Sequence, residues 1–322
     1  MRLRIWVGFK RSRLINGFAV AAVLSISGCA SVPSFSGFDA RVPLPDSVEL
    51  TQVAFYSQTE DQCGPAALAT VLEHAGVMRT LQQLQADVYV PRRQGSLPLE
   101  MLGGARRAGV VPYVLKGEPQ ALWQEVAAGH PVVVLQNLRW YWLPLWHYAV
   151  LVGYDRDAAT VTLRSGDEKR RVMSVTDFET SWIKANRWAF VALPADQLPA
   201  TASANAFVDA VMVLERVAPI QAAQAYQTAL QVWPDNLTAR LALGNSYDRR
   251  GDLQTAQMHY AQATLDHPDA ADAWNNLAHV LYEMHQWAQA KQAIDKALTL
   301  GGEHLNQYKA TQLAIERKMQ PE

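Results

Sequence analysis

Cysteine is scarce in this chain: two in 322 residues, Cys29 and Cys63. That excludes the disulfide framework on which small secreted domains rely. Net charge is nearly absent as well, at −1 with a pI near 6.7, which removes the electrostatic case for nucleic acid as a partner. No G-x-x-x-x-G-K-[ST] loop occurs and no Cys/His group has zinc-ligand spacing. Neither a nucleotide, a structural metal nor any other cofactor is therefore expected. The N-terminal apolar stretch, Leu14 to Ile26, is too short for a comfortable bilayer span, which needs roughly 20 residues. What remains is a chain that is 49% apolar and long enough for about two domains.

The N-terminus has its own grammar. Arg2, Arg4, Lys10, Arg11 and Arg13 come without an acid, the apolar stretch follows, and Ile26-Ser27-Gly28-Cys29 closes it. Basic, apolar and small residues in that order read as an export signal over 1–28. The ending resembles a bacterial lipobox, which implies that Cys29 is acylated and becomes the new N-terminus. Ala30 follows the Cys, and by the same resemblance that favours the outer membrane. Residues 29–47 then read as the lipidated Cys and a Ser-, Pro-, Gly- and Ala-rich tether. The expectation is a protein on the periplasmic side of the envelope, held to the membrane by its lipid.

Residues 48–195 mix periods. Helices are expected over 66–76, 97–108 and 119–128, and strands over 110–115, 131–136, 147–153, 160–164, 170–174 and 188–193. Thr176-Asp177-Phe178-Glu179 has the T-x-x-E spacing of a capping box. Helices come first and strands follow, which argues α+β. After the Ala- and Pro-containing stretch 194–204 the strand pattern stops and a 34-residue period begins. Gly244, Tyr247, Ala256, Tyr260, Ala263 and Pro268 mark the strongest unit, 237–270. Weaker copies fill 203–236 and 271–304, the first with Asp209 and Ala210 where Leu and Gly are usual. The pattern resembles three tetratricopeptide repeats, 203–304, whose small residues let paired helices pack closely. Residues 305–322 read as a capping helix and tail. The repeats imply a protein partner.

Cys63 carries the chemistry. It opens a helix before Gly64 and Pro65, where the positive end of the helix dipole favours thiolate and first-turn N–H groups have no helical partner. Those groups can hold an oxyanion. Gln58 can add a second donor, and Gln62, which adjoins the nucleophile, is the other candidate. A thiolate needs a base. Of eight histidines, five (His259, His267, His279, His285 and His304) fall in the repeats. His74 lies eleven residues along the Cys63 helix, roughly 16 Å from the sulfur at 1.5 Å per residue. His130 opens a strand after a Gly and reads as a turn residue. His147 stands at the mouth of the buried run His147-Tyr148-Ala149-Val150-Leu151-Val152-Gly153-Tyr154-Asp155.

Gln58 to Leu72 and His147 to Asp155 together resemble the two signature blocks of the papain-fold bacteriocin-processing peptidases. The resemblance covers about 48–193. It implies that Cys63 is the nucleophile, His147 the general base and Gln58 an oxyanion donor. The family also carries an Asp, often Asp-Pro, on the next strand to orient the imidazole. Here the matching stretch is Leu163-Arg164-Ser165-Gly166-Asp167, with no Asp-Pro. Asp167 is the expected orienter if the loop shifts. Ser165, accepting the Nδ1 proton, is the weaker choice, and Asp155 lies at the far end of the His strand.

Between the blocks, Arg139 to Trp146 holds four aromatics in eight residues. Three uses stand open for it: lining a substrate cleft, packing on the core, or touching a membrane surface. The expected architecture is an α+β papain-like cysteine peptidase domain followed by an all-α tetratricopeptide domain. The expected function is a lipid-anchored periplasmic thiol peptidase acting on a protein or peptide. The alternatives are a thiol amidase or acyltransferase of the same fold, and a non-catalytic envelope scaffold.

Overall fold

The computed structural model describes residues 43–57 and 62–320. The elements in chain order are β1 (Ser47–Glu49), α1 (Cys63–His74), α2 (Leu81–Val88), β2 (Tyr89–Val90), β3 (Gly95–Ser96), α3 (Pro98–Arg107), β4 (Val111–Val114), α4 (Pro119–Ala127), β5 (Val132–Asn137), β6 (Trp146–Asp155), β7 (Thr160–Ser165), β8 (Glu168–Ser174), α5 (Val175–Ile183) and β9 (Ala189–Leu193). Seven helices follow: α6 (Ala204–Glu215), α7 (Pro219–Val232), α8 (Leu237–Asp248), α9 (Leu253–Asp266), α10 (Ala271–Glu283), α11 (Trp287–Leu300) and α12 (Leu305–Met319). This is an α+β domain followed by a helical region.

One antiparallel sheet organises the first domain, in the order β4-β9-β5-β6-β7-β8, with β1 pairing the C-terminal end of β6. Its central strands β9, β5 and most of β6 are buried on both faces, so they read as nearly continuous apolar runs. Their two-residue period sorts the side chains between two cores. Val133, Leu135, Tyr148, Val150, Val152 and Phe190 meet Ala67, Leu68, Val71 and Leu72 of α1. Val132, Val134, Ala149, Leu151 and Val191 meet Trp123 of α4 and Phe178 and Trp182 of α5. Helix α1 is buried over Cys63–Leu72, because α2, α3 and the sheet surround it.

The capping-box expectation at Thr176 is corrected. Ser174 is the N-cap of α5, its hydroxyl accepting from the Asp177 N–H at 3.0 Å. Thr176 lies inside the helix, where its carbonyl accepts from the Thr180 hydroxyl. A true capping box, Thr80 with Gln83, starts α2 instead.

The second core continues past the sheet without a break. Phe207, Val208, Val211 and Leu214 of α6 join it, as do Tyr226 of α7 and Ala239 and Leu243 of α8. The first repeat helix therefore packs against the sheet, with α6 touching β4. The connecting segment is held by Glu125, which is fully buried. Its carboxylate accepts from the N–H groups of Ala200 and Thr201 and from the Thr201 hydroxyl at 2.6 Å, and pairs with His130 Nδ1 at 2.7 Å. Farther along, a Cβ on Gly244 would lie 2.5 Å from the Tyr260 ring, so the α8–α9 pair can close only on a residue without a side chain.

Candidate active site

Cys63 is the first residue of α1, with Pro65 in the first turn. Gln62 is the N-cap residue but makes no side-chain capping bond. First-turn N–H groups of a helix have no helical partner, which is the property an oxyanion site needs. Gly64 has a steric reason to be Gly. A Cβ there would lie 2.3 Å from Ser96 Oγ and 3.2 Å from the Met101 sulfur. The β3 backbone is held against this helix start by Tyr148, whose hydroxyl donates to the Ser96 carbonyl at 3.2 Å.

Tyr148 links the two signature blocks. It shares the α1-side core with Cys63. Its hydroxyl is pushed above the ordinary tyrosine range by burial and, after that, by the negative charge of the Cys63 thiolate. Its chain neighbour is His147, so the start of β6 and the start of α1 lie at the same end of the sheet.

His147 Nε2 lies 2.8 Å from Ser165 Oγ. With Nε2–H donating to Ser165, Nδ1 keeps the lone pair for a thiol. Burial, and next the Arg171 guanidinium, push the His147 pKa down to about 4, so near neutral pH the ring is uncharged and able to accept a proton. Ser165 belongs to β7, which pairs β6, and Arg171 to β8, which pairs β7 with Leu163 opposite Arg171 and Ser165 opposite Glu168.

No hydrogen bond joins Asp167 to the His147 ring. Gly166 and Asp167 form the turn between β7 and β8, and Asp167 is exposed there. The ring bonds instead to Ser165, the last residue of β7. It does so through Nε2, not through the Nδ1 expected from sequence. Asp155 caps the far turn of β6, accepting from the Ala158 N–H at 2.8 Å. Gln58 and Cys29 lie outside the described residues, as does the 1–28 segment. Gln62 is partly buried beside Cys63.

Three further residues shape the site without a motif to betray them. Arg164, buried in β7, donates to the carbonyls of Val53, Leu50 and Lys169 at 3.2, 3.3 and 2.8 Å. It thereby fastens the segment that leads to Cys63. Ser96 packs on Gly64, and Arg171 sets the charge near His147. Alternation along β7 and β8 could have flagged Arg164 as inward-facing, but nothing local marks Ser96. Among the described residues no group of three His, Cys, Asp or Glu side chains is placed to hold a metal ion.

The aromatic hairpin is a built structure. Asn137 Oδ1 accepts from the N–H groups of Arg139 and Leu145 at 3.1 and 3.0 Å, and the Leu138 N–H returns to the Leu145 carbonyl. Its rings do not pack on the core. Trp140, Tyr141 and Trp142 are 60%, 69% and 78% exposed, and the two tryptophans stack on each other with centroids 5.4 Å apart.

Residues 50–190 match the Peptidase_C39 like family, and residues 249–314 match the tetratricopeptide repeat. No curated protein shows a significant match to the chain. Similar solved structures include a C39-like peptidase from Bacillus anthracis, with 19% identity over 46% of this chain and 98% of that one, at a TM-score of 0.40. The peptidase domain of Streptococcus ComA, a bifunctional ABC transporter involved in quorum sensing, has 21% identity over 43% and 96%, at 0.36. For the helical region, the Sgt2 tetratricopeptide domain from Aspergillus fumigatus has 21% identity over 37% and 80%, at 0.34. The chain therefore carries a Peptidase C39-like domain over residues 50–190, followed by tetratricopeptide repeats.

Proposed function

We propose that this protein is a lipid-anchored cysteine peptidase of the bacterial periplasm that hydrolyses a peptide bond of a protein or peptide substrate. The observation that carries the chemistry is the 2.8 Å contact between His147 Nε2 and Ser165 Oγ. It holds the imidazole through Nε2 and supports a reading in which Nδ1 serves the thiol. The Cys63 sulfur attacks the substrate carbonyl while Nδ1 takes the thiol proton. The tetrahedral oxyanion is held by the first-turn N–H groups of α1, with Gln58 as the side-chain donor. His147 passes its proton to the leaving amine, and a thioester to Cys63 remains. Water then gives a proton to His147 as it attacks the thioester, and that proton returns to sulfur as the acid leaves.

The anchor rests on the N-terminal sequence: the basic start, the short apolar stretch and Cys29. The repeats present paired helices for a protein partner or substrate. The test is incubation of the full chain with a peptide library, reading new termini by mass spectrometry beside Cys63→Ala. New termini that depend on Cys63 are expected. A digest identical for both proteins overturns the peptidase reading.

A further inference from the structure

The β5–β6 hairpin places a large apolar surface beside the catalytic pair. Trp140, Tyr141, Trp142, Leu143, Leu145 and Trp146 are each 39% exposed or more, and Trp146 adjoins His147. Contiguous exposure of this kind marks a contact surface. Three observations choose its occupant. The first is shape. The rings stand out on a hydrogen-bonded hairpin and stack on each other, whereas sites for small ligands and peptide side chains are concave.

The second is charge. No acidic residue occurs between Glu125 and Asp155. The root of the hairpin carries Arg139 and Lys184, joined by a bond from Lys184 Nζ to the Arg139 carbonyl at 3.0 Å. Trp and Tyr with flanking cations are the composition of a membrane–water interface, and the cations favour anionic headgroups.

The third is reach. Strand β1 pairs the end of β6 away from the hairpin, and β6 is about 33 Å long at ~3.3 Å per residue. The stretch from Ala30 to Asp46 extends to about 55 Å, so a lipid on Cys29 and the hairpin can meet one surface.

We propose that the Leu138–Trp146 hairpin is an interfacial wedge that seats the mouth of the active site on an anionic bilayer, so that the enzyme acts on peptide segments lying at the membrane surface. The argument from reach rests on the anchor reading; the arguments from shape and charge do not.

The test places an environment-sensitive fluorophore at Tyr141→Cys in a full-length Cys63→Ser protein. A control carries it at Asp157→Cys, in the turn at the other end of β6. Each is mixed with vesicles of phosphatidylglycerol and phosphatidylethanolamine in equal parts, then with vesicles of phosphatidylcholine alone. A blue shift and brightening at position 141, absent at 157 and weaker on phosphatidylcholine, is the expected result. Emission at 141 that stays water-like on vesicles that retain the protein overturns the wedge. A shift that appears only on adding an apolar peptide, with vesicles silent, overturns it in favour of a peptide-binding hairpin. Label taken up by Cys29 shows that the residue is not acylated and removes the anchor reading. The response at 141 is then still read on added vesicles, so the two failures remain distinct.

Discussion

The two faces of the sheet do different work with the same strands. On one, α1 lies buried and brings Cys63 to the end of β6 where His147 begins. On the other, α4, α5 and α6 extend the core into the repeats. The end of the sheet where α1 and β6 begin holds a few polar groups with stringent geometry: one thiol, one imidazole, one hydroxyl. The second face is broad and apolar, with the buried Glu125 holding the connecting segment. Chemistry should therefore be sensitive to single atoms on one side, and stability to side-chain volume on the other.

The largest expected effect comes from the first face. His147→Ala should lower kcat/KM by about 10³–10⁴-fold, as loss of a catalytic base does elsewhere. Thermal unfolding should change little, because the ring sits at a strand mouth. Next is the second face. Phe207→Ala should cost about 3–5 kcal/mol, since Phe207 is wholly buried between sheet and repeats. Calorimetry would show this, and kcat measured well below the transition should hold. A Phe207 variant that loses activity while folded would break the division between the faces.

Smaller effects sharpen the comparison within the site. Ser165→Ala removes the partner of Nε2 and should lower kcat about tenfold, the worth of roughly one hydrogen bond. Ser165→Asp should retain or raise the rate, because a carboxylate holds the same tautomer more firmly. Asp167→Ala should stay within ~0.5 kcal/mol of wild type, as surface changes do. Equal losses for Ser165→Ala and Asp167→Ala would return the orienting role to the turn.

The smallest effect is in the pH profile. His147 must be neutral to act as base, and its pKa is held at about 4, below the ordinary histidine value. Activity should therefore persist through the range where a free histidine protonates and fall only as pH approaches that value. The stability linked to this group has the same sign. It is complete above the unfolded pKa of about 6.5 and is lost as pH falls from there through the folded value. Arg171→Ala removes a repulsive charge and should move the acid limb of kcat/KM upward by a fraction of a unit at low salt.

The sequence made some of this plain and hid the rest for physical reasons. Cys63 was legible because Gly64 and Pro65 announce a helix start, and His147 because a polar ring opened an apolar run. The orienter stayed open between Ser165 and Asp167 because the choice depends on where the β7–β8 strands end and their turn begins. Thr176 was mistaken for a cap because two candidate hydroxyls lie two residues apart, and only backbone geometry chooses Ser174. Asp209 and Ala210 looked like decay of a repeat. In the fold, Asp209 is exposed while Phe207, Val208 and Val211 face the sheet, so the first repeat helix follows the demands of docking against β4. The Ser96–Gly64 contact joins residues far apart in the chain and leaves no local pattern.

The central claim is that Cys63 and His147 act as one unit. It is tested most directly by incubating the full chain with a peptidyl acyloxymethyl ketone and weighing the product by mass spectrometry, in wild type and in His147→Ala. The account predicts one adduct per chain, on Cys63, formed fast in wild type and at least a hundredfold more slowly without the imidazole. Labelling of Cys63 at the same rate in both proteins would contradict it.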